Sequence, residues 1–252
     1  MAIVQVRMGS TRLPGKSLRP IVGKPLLLHI IDRIRSSRTI HDIVVATTTL
    51  PEDRAIVDLC RDHGVQVFTG SAEDVLDRFY RAALEARAQV IVRITGDDPF
   101  KDSVLVDRIV RHILDNPELD YVSNTLKPTC PEGLDVEAFT FHALETAWQN
   151  AKLRSEREHV TPYIWKNTRK FRIENIECSE DLSGMRWTVD YEEDLKFAEE
   201  VYGRLYHGNV FLMEDILALL REHPEIMKLN SGIRRNEGYL KSLKRDRFIT
   251  LE

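Results

Sequence analysis

The feature that most constrains this 252-residue chain is a rhythm: short β-branched apolar runs alternate with longer amphipathic stretches through the first half. Ala2-Ile3-Val4-Gln5-Val6 reads as a strand buried on both faces of a parallel sheet, Val90-Ile91-Val92-Arg93-Ile94 as another buried strand, and Ile43-Val44-Val45-Ala46-Thr47 and Gln66-Val67-Phe68 as strands. Between them, Pro25–Ile34, Glu52–Arg61 and Glu73–Ala86 read as helices, the first with proline in its opening turn. A further helix is expected over Val104–Leu114, then a strand at Asp120-Tyr121-Val122. Successive βαβ units give a sheet with helices on both faces, so the expected fold is a three-layer α/β/α sandwich with a mostly parallel sheet.

From Thr125 to Asp190 the rhythm breaks. Pro128 and Pro131-Glu132-Gly133 mark turns, His142–Leu153 and Glu156–Lys166 are helix-like, and Phe171–Ile176 is strand-like. Residues 125–180 are expected to form an inserted lobe within a single domain spanning 1–252, covering the site and meeting a second copy. A last strand, Met185–Val189, leads into Asp190-Tyr191-Glu192-Glu193-Asp194 and a helix to about Arg204, with another helix near Met213–Arg221. Residues 228–252 contain the charged run Arg234–Arg247 and are expected to be a peripheral tail.

The chain carries 36 Lys and Arg against 40 Asp and Glu, a formal net charge of -4, so nothing draws it as a whole to nucleic acid or an anionic membrane. Positive charge matters only where it clusters. No apolar run approaches the roughly 20 residues of a membrane span, and the N-terminus enters a strand without a signal-peptide profile. Cys60, Cys130 and Cys178 are odd in number and form no C-x-x-C pair, which points to a reducing compartment and against structural zinc. A cytoplasmic protein with neither nucleic acid nor membrane as partner is expected.

The one strong cluster of positive charge is Arg7-Met8-Gly9-Ser10-Thr11-Arg12-Leu13-Pro14-Gly15-Lys16, directly after the first strand. The carboxyl end of a strand is where open α/β sheets bind ligands. Gly9 and Gly15 allow close backbone approach, and Arg7, Arg12 and Lys16 supply three cations, a combination suited to polyphosphate. The loop is not a Walker A motif: Gly9 to Gly15-Lys16-Ser17 is one residue too long, and Pro14 removes an N–H from the cradle. Asp97, in Thr95-Gly96-Asp97-Asp98-Pro99, stands where the Val90–Ile94 run stops and would face the same crevice. Asp190 ends the Met185–Val189 run. Two carboxylates converging on a polyphosphate site suit Mg²⁺, although each also suits a turn or a helix N-cap.

The loop resembles R-x-x-S-x-R-L-P-G-K of the cytidylyltransferases that activate acidic sugars, the CMP-sialic acid and CMP-KDO synthetase group. Arg7, Ser10, Arg12, Leu13, Pro14, Gly15 and Lys16 all match, and Gly23-Lys24-Pro25-Leu26 continues the match to the branch known from spore-coat polysaccharide synthesis. Thr95-Gly96-Asp97-x-Pro99 and Trp187-Thr188-Val189-Asp190 look like the family's two acidic segments. The resemblance implies a nucleotide site of Arg7, Met8, Gly9, Ser10, Arg12, Gly15 and Lys16 with Gly70, Ser71 and Asp97. It implies catalytic roles for Arg12, Lys16, Asp97 and Asp190, with Mg²⁺ on Asp97 and Asp190. A capping role for Ser71 with Asp74 competes on equal terms.

Pro131–Glu137 and Arg157–Tyr163 resemble the branch's sugar-side segments, which implies substrate contacts from Gly133, Asp135, Glu137, Arg157 and His159. A histidine beside Glu158 is equally at home as a hydrogen-bonded structural residue. Glu132 departs from the pattern, standing where a basic residue is expected. The implied activity is transfer of CMP from CTP to a sugar, an acidic one by resemblance, with release of pyrophosphate, by a homodimer. The rivals are a nucleotidyltransferase for another base or acceptor, a glycosyltransferase on the same fold, and a non-catalytic nucleotide-binding relative. The first and second would show G-x-G-T-R at 7–12 or D-x-D at 97–99, and neither is present.

Overall fold

The computed structural model describes residues 1–249; residues 250–252, the end of the expected tail, lie outside the described residues. In chain order the elements are β1 (Ala2–Gln5), β2 (Pro20–Ile21), β3 (Lys24–Pro25), α1 (Leu26–Arg35), β4 (Ile43–Thr48), α2 (Arg54–Asp62), β5 (Gln66–Gly70), α3 (Val75–Glu85), β6 (Val90–Thr95) and α4 (Ser103–Asp115). There follow β7 (Tyr121–Ser123), β8 (Glu137–Thr140), α5 (Phe141–Asn150), α6 (Arg154–His159), α7 (Pro162–Lys166), β9 (Ile173–Asn175), α8 (Glu192–Leu205), α9 (Met213–Glu222) and α10 (Glu237–Lys244).

Seven strands form one sheet in the order β5-β4-β1-β6-β8-β7-β9. β5, β4, β1 and β6 pair in parallel, as does β7 with β9, while β8 runs antiparallel to both its neighbours. The chain starts in the middle, moves outward to β5, then crosses back to place β6 on the other side of β1. Loops leaving β1 and β6 therefore diverge, and a crevice opens at this reversal. Successive strand residues point to opposite faces. Ala2, Val4, Val45, Val92 and Ile94 pack with α1, α2, α4, α8 and α9, whereas Ile3, Val44, Ala46, Ile91 and Phe139 pack with α3, α5 and α7. The result is the expected three-layer α/β/α sandwich.

The differences from expectation begin after β7. Residues 125–180, expected as a lobe, put β8 and β9 into the main sheet itself and lay α5 and α6 against α3. The two helix-like segments are three helices, because the chain turns at Val160, which has φ 72°. Met185–Val189 is not a strand. It is extended and buried at Trp187 and Val189, but its backbone pairs with the rest of the chain's backbone through an isolated bridge between Glu132 and Arg186 and through Val189 N donating to Asp97 O, not through a strand ladder. Cys130 and Cys178, read with Cys60 as pointing to a reducing compartment, form a disulfide; Cys60 is free and buried. Among the described residues no helix is long and apolar enough to cross a membrane.

Two close fits hold this arrangement. Gly133 has φ 105°, and a Cβ there would lie 2.6 Å from the Trp187 carbonyl carbon and 2.7 Å from Thr188 N. Gly133→Ala is expected to destabilise the protein by about 2 kcal/mol or more, read as a shifted midpoint in urea unfolding. Asp107 on α4 accepts from Ser37 Oγ at 2.5 Å, Arg38 N at 2.9 Å, Thr39 N at 3.0 Å and Thr39 Oγ1 at 2.8 Å. Burial pushes its carboxyl up, but these hydrogen bonds outweigh it and hold the group below the usual carboxylate range. A depressed folded value stabilises above the unfolded value, about 3.9, and that contribution fades as pH falls through the folded one. Asp107→Asn should therefore lower the melting temperature at pH 7, and the gap to wild type should narrow as pH drops below 4.

Candidate active site

The crevice at the carboxyl ends of β1 and β6 is a cleft of about 750 Å³, within the range of roughly 300–1,000 Å³ usual for small-molecule sites. Its floor is the loop after β1. Ser10 N and Gly15 N both donate to Met8 O, at 2.8 and 3.2 Å, which folds the loop back on itself. Gly15, at φ 68°, then turns the chain into a single 3₁₀ turn, Lys16–Leu18. That turn aims the Lys16 side chain inward.

Lys16 Nζ donates to Asp97 Oδ2 at 2.9 Å, Val189 O at 2.9 Å and Asp190 Oδ1 at 2.7 Å. Arg12 Nη2 reaches the other oxygen of Asp190 at 2.6 Å, with its guanidinium 5.3 Å from the Tyr191 ring centre. Burial alone would raise the Asp190 carboxyl, but Lys16 and Arg12 hold it at about 2. Burial likewise works against the Lys16 ammonium, and Asp97 with Asp190 outweighs it, so the lysine stays charged. Asp190 does not cap α8. That work falls to Asp194, whose Oδ2 accepts from the backbone N of Asp190 and Tyr191 at 3.0 and 3.1 Å. Nor does Asp97 cap α4, which is capped by Asp102.

Both carboxylates thus converge on one point while 28% of the Asp97 and 18% of the Asp190 side chain stays open. That donor set fits a hard divalent ion, which takes one or two carboxylates and completes its shell with phosphate oxygens and water. Among the described residues no third acidic, histidine or cysteine side chain joins them.

Of the other expected residues, Arg7, Gly9, Ser10, Asp135, Glu137 and His159 line the cleft. Met8, Gly15, Gly70, Ser71, Gly133 and Arg157 do not. Met8 packs on the core and Gly15 serves the turn. Ser71 Oγ accepts from Asp74 N at 3.0 Å, the capping alternative, and Gly133 serves the backbone fit described above. Arg157 is the clearest correction. Its guanidinium is held by Asp74 at 2.9–3.0 Å and Trp148 O at 2.6 Å, pinning α6 to the start of α3 away from the cleft. His159 Nε2 sits 2.9 Å from Ser242 Oγ, and burial, with Arg93 nearby, pushes its imidazole down to about 4, so it is neutral at neutral pH.

Several cleft residues escaped the sequence reading. Arg186 donates to Asp194 through Nε and Nη2 at 2.9 Å each and to Glu132 at 2.6 Å, and lies 3.5 Å from Asp190. Behind the cleft lining, Lys101 is wholly buried and donates to Asp98 at 2.8 Å and to Gly133 O at 3.3 Å. Burial, and the neighbouring Asp97 charge against the pull of Lys101, leaves Asp98 raised to about 6. Glu137 accepts from Tyr121 at 2.7 Å, Thr161 at 2.5 Å and Arg93. Arg93 was visible as a lone charge inside an apolar strand. Arg78 lies in the wall near Arg7, its Nε without a partner, and is lowered to about 10 by burial and then by Arg7. Residues 236–245, expected in a peripheral tail, cross the cleft mouth and line it.

A family model described as cytidylyltransferase matches residues 1–225. Over 236 residues the chain is 42% identical to an uncharacterised protein of Methanocaldococcus jannaschii, covering 93% of this chain and 95% of that one. It is 32% identical to the spore coat polysaccharide biosynthesis protein SpsF of Bacillus subtilis, over 88% of this chain and 94% of the relative. Among solved structures it is similar to a cytidylyltransferase from Leptospira borgpetersenii, with a TM-score of 0.87, 33% identity, and 93% of this chain and 98% of that one covered. A match of this extent, on a fold whose cleft gathers the Arg12 and Lys16 loop with Asp97 and Asp190, makes the chain a member of the cytidylyltransferase family.

Proposed function

We propose that the protein transfers CMP from CTP to an acidic sugar and releases pyrophosphate. The observation that carries this reading is the meeting of Arg12 and Lys16 with Asp97 and Asp190 at one point of the crevice. In the absence of nucleotide the four side chains neutralise one another. A triphosphate entering the cleft offers the cations new partners, which would free oxygens of Asp97 and Asp190 for a metal.

Arg12 and Lys16 hold the β and γ phosphates; Arg7 and Ser10 shape the loop around them, Ser10 Oγ accepting from Leu13 N at 3.3 Å. Asp97 and Asp190 would hold Mg²⁺, which when bound would supply positive charge to the phosphate oxygens. The sugar hydroxyl attacks the α-phosphorus in line and gives up its proton to solvent, the bond to the β,γ unit breaks, and pyrophosphate leaves carrying the electron pair. Lys16 is held at the cleft by three partners before substrate arrives, so its charge already lies beside the place where the phosphates bind. Holding hydroxyl and α-phosphate in line supplies much of the remaining acceleration. Arg186, doubly bonded to Asp194, keeps Asp190 in place from behind.

Lys16→Ala and Asp97→Asn are each expected to lower kcat/KM by more than tenfold, on the order of 1.4 kcal/mol or more of transition-state stabilisation. The assay is pyrophosphate release from CTP with a panel of sugar acids; wild-type turnover in both variants would remove these assignments, and release from ATP, GTP or UTP but not CTP would overturn the choice of base. Binding has its own readout. CTP with Mg²⁺ at about 100 times the dissociation constant should stabilise the protein by about 2.7 kcal/mol. The part of the melting-temperature shift that depends on Mg²⁺ should be missing in Asp97→Asn.

A further inference from the structure

The segment beyond the 1–225 family match is built into the cleft. Asn230 Nδ2 donates to Arg186 O at 2.9 Å and Asp194 Oδ1 at 3.0 Å. Arg235 donates to Cys130 O at 2.9 Å and Asp135 at 2.6 Å, and Asn236 N donates to Glu132 Oε1 at 2.8 Å. The far end is tied to α6: Ser155 donates to Asp246 through N and Oγ at 3.0 and 2.7 Å, and Arg154 N donates to Arg247 O at 2.9 Å. Between these two moorings α10 spans the mouth.

This strap explains Glu132. The basic residue expected at that position is replaced by a carboxylate whose two oxygens are taken by Arg186 and by the strap's own backbone. Positive charge enters the cleft at the strap's other mooring. Arg154, at the start of α6, and Arg245, just after α10, both line the cleft, are exposed, and have no carboxylate partner among the described residues. Lys241, between them, is neutralised by Glu237 at 2.8 Å. Tyr239 also lines the cleft, and its hydroxyl is buried with no partner, a polar group left over for a ligand.

We propose that the C-terminal strap forms the acceptor subsite of this enzyme, with Arg154 and Arg245 binding the carboxylate of the sugar and the Tyr239 hydroxyl bonding one of its hydroxyl groups. This rests on the reading of the reaction given above and says which residues choose the acceptor. Two guanidiniums match a carboxylate in charge and in donor geometry. The strap also bridges the two substrates. Tyr191, which packs against Arg12, donates to Glu237 on α10, so the acceptor wall touches the phosphate-gripping arginine through one side chain.

The test compares wild type with Arg154→Ala/Arg245→Ala and with Tyr239→Phe, using 2-keto sugar acids and their methyl esters as probes. Saturation-transfer NMR reads binding of each probe to the CTP-loaded protein, and pyrophosphate release reads turnover. Both arginines are exposed, so the double variant should fold and keep its CTP affinity within about twofold. Wild type is expected to bind the acids at least tenfold more tightly than the esters. The double variant should lose that preference, and Tyr239→Phe should weaken acid and ester alike. Acids bound no better than esters by wild type, or an acid preference retained by the double variant, would overturn the subsite. Binding with the expected preference but no pyrophosphate release would leave the subsite standing and defeat the reaction instead.

Discussion

A single ammonium joins the parts of this molecule that matter. Lys16 is nearly buried, and its partners Asp97, Val189 and Asp190 lie 81, 173 and 174 residues further along the chain. A lone buried charge is strongly disfavoured, so the fold tolerates this one only because three acceptors surround it. Removing one partner of a buried pair commonly costs about 3–5 kcal/mol. The loop after β1, the end of β6 and the segment entering α8 are therefore locked together by charge as well as by the apolar core beneath them. The same lock points its outer faces at the cleft.

Behind it stands a second buried set. Asp194, with no exposed surface, gathers Arg186, Asn230 and the backbone of Asp190 and Tyr191. Arg186 also reaches Glu132, and Glu132 reaches the backbone of Asn236. A change in the position of Asp190 is thus felt, through successive hydrogen bonds, at the strap across the cleft. Each member is satisfied by several partners, which is the condition under which a buried polar network specifies one arrangement.

The central half of the sheet was legible because strands buried on both faces must be mostly apolar, and β1, β4 and β6 are, Arg93 apart. The charged loop was legible because glycines and cations followed such a strand, and Asp97 because it followed another. Elsewhere the same logic misled. Trp187 and Val189 are apolar because they are buried in the core, not because they pair with a strand, so Met185–Val189 read as one. β8 has only four residues and follows turn-rich sequence, which hid it. Lys101 and Arg186 are charged yet buried, and polarity alone cannot reveal a partner that lies far away in the chain. The charges of Arg234–Arg247 looked like a solvated tail, whereas several are anchors: Arg235 to Asp135, Asp246 to Ser155. Arg157 matched a sugar-side segment, but its geometry serves α3.

The antiparallel β8 has a bearing on how the molecule is made. β7 and β9 reach the sheet only through β8, and β8 emerges from the ribosome after β7. Until residues 137–140 arrive, β6 is an open edge with unpaired amides, and β7 has nowhere to dock. A nascent chain can complete the β5-β4-β1-β6 half early, then must hold that edge unpaired while more than forty further residues are synthesised, the interval in which mispairing with another chain is easiest. The four-residue strand that escaped the sequence reading is therefore the one that closes this window.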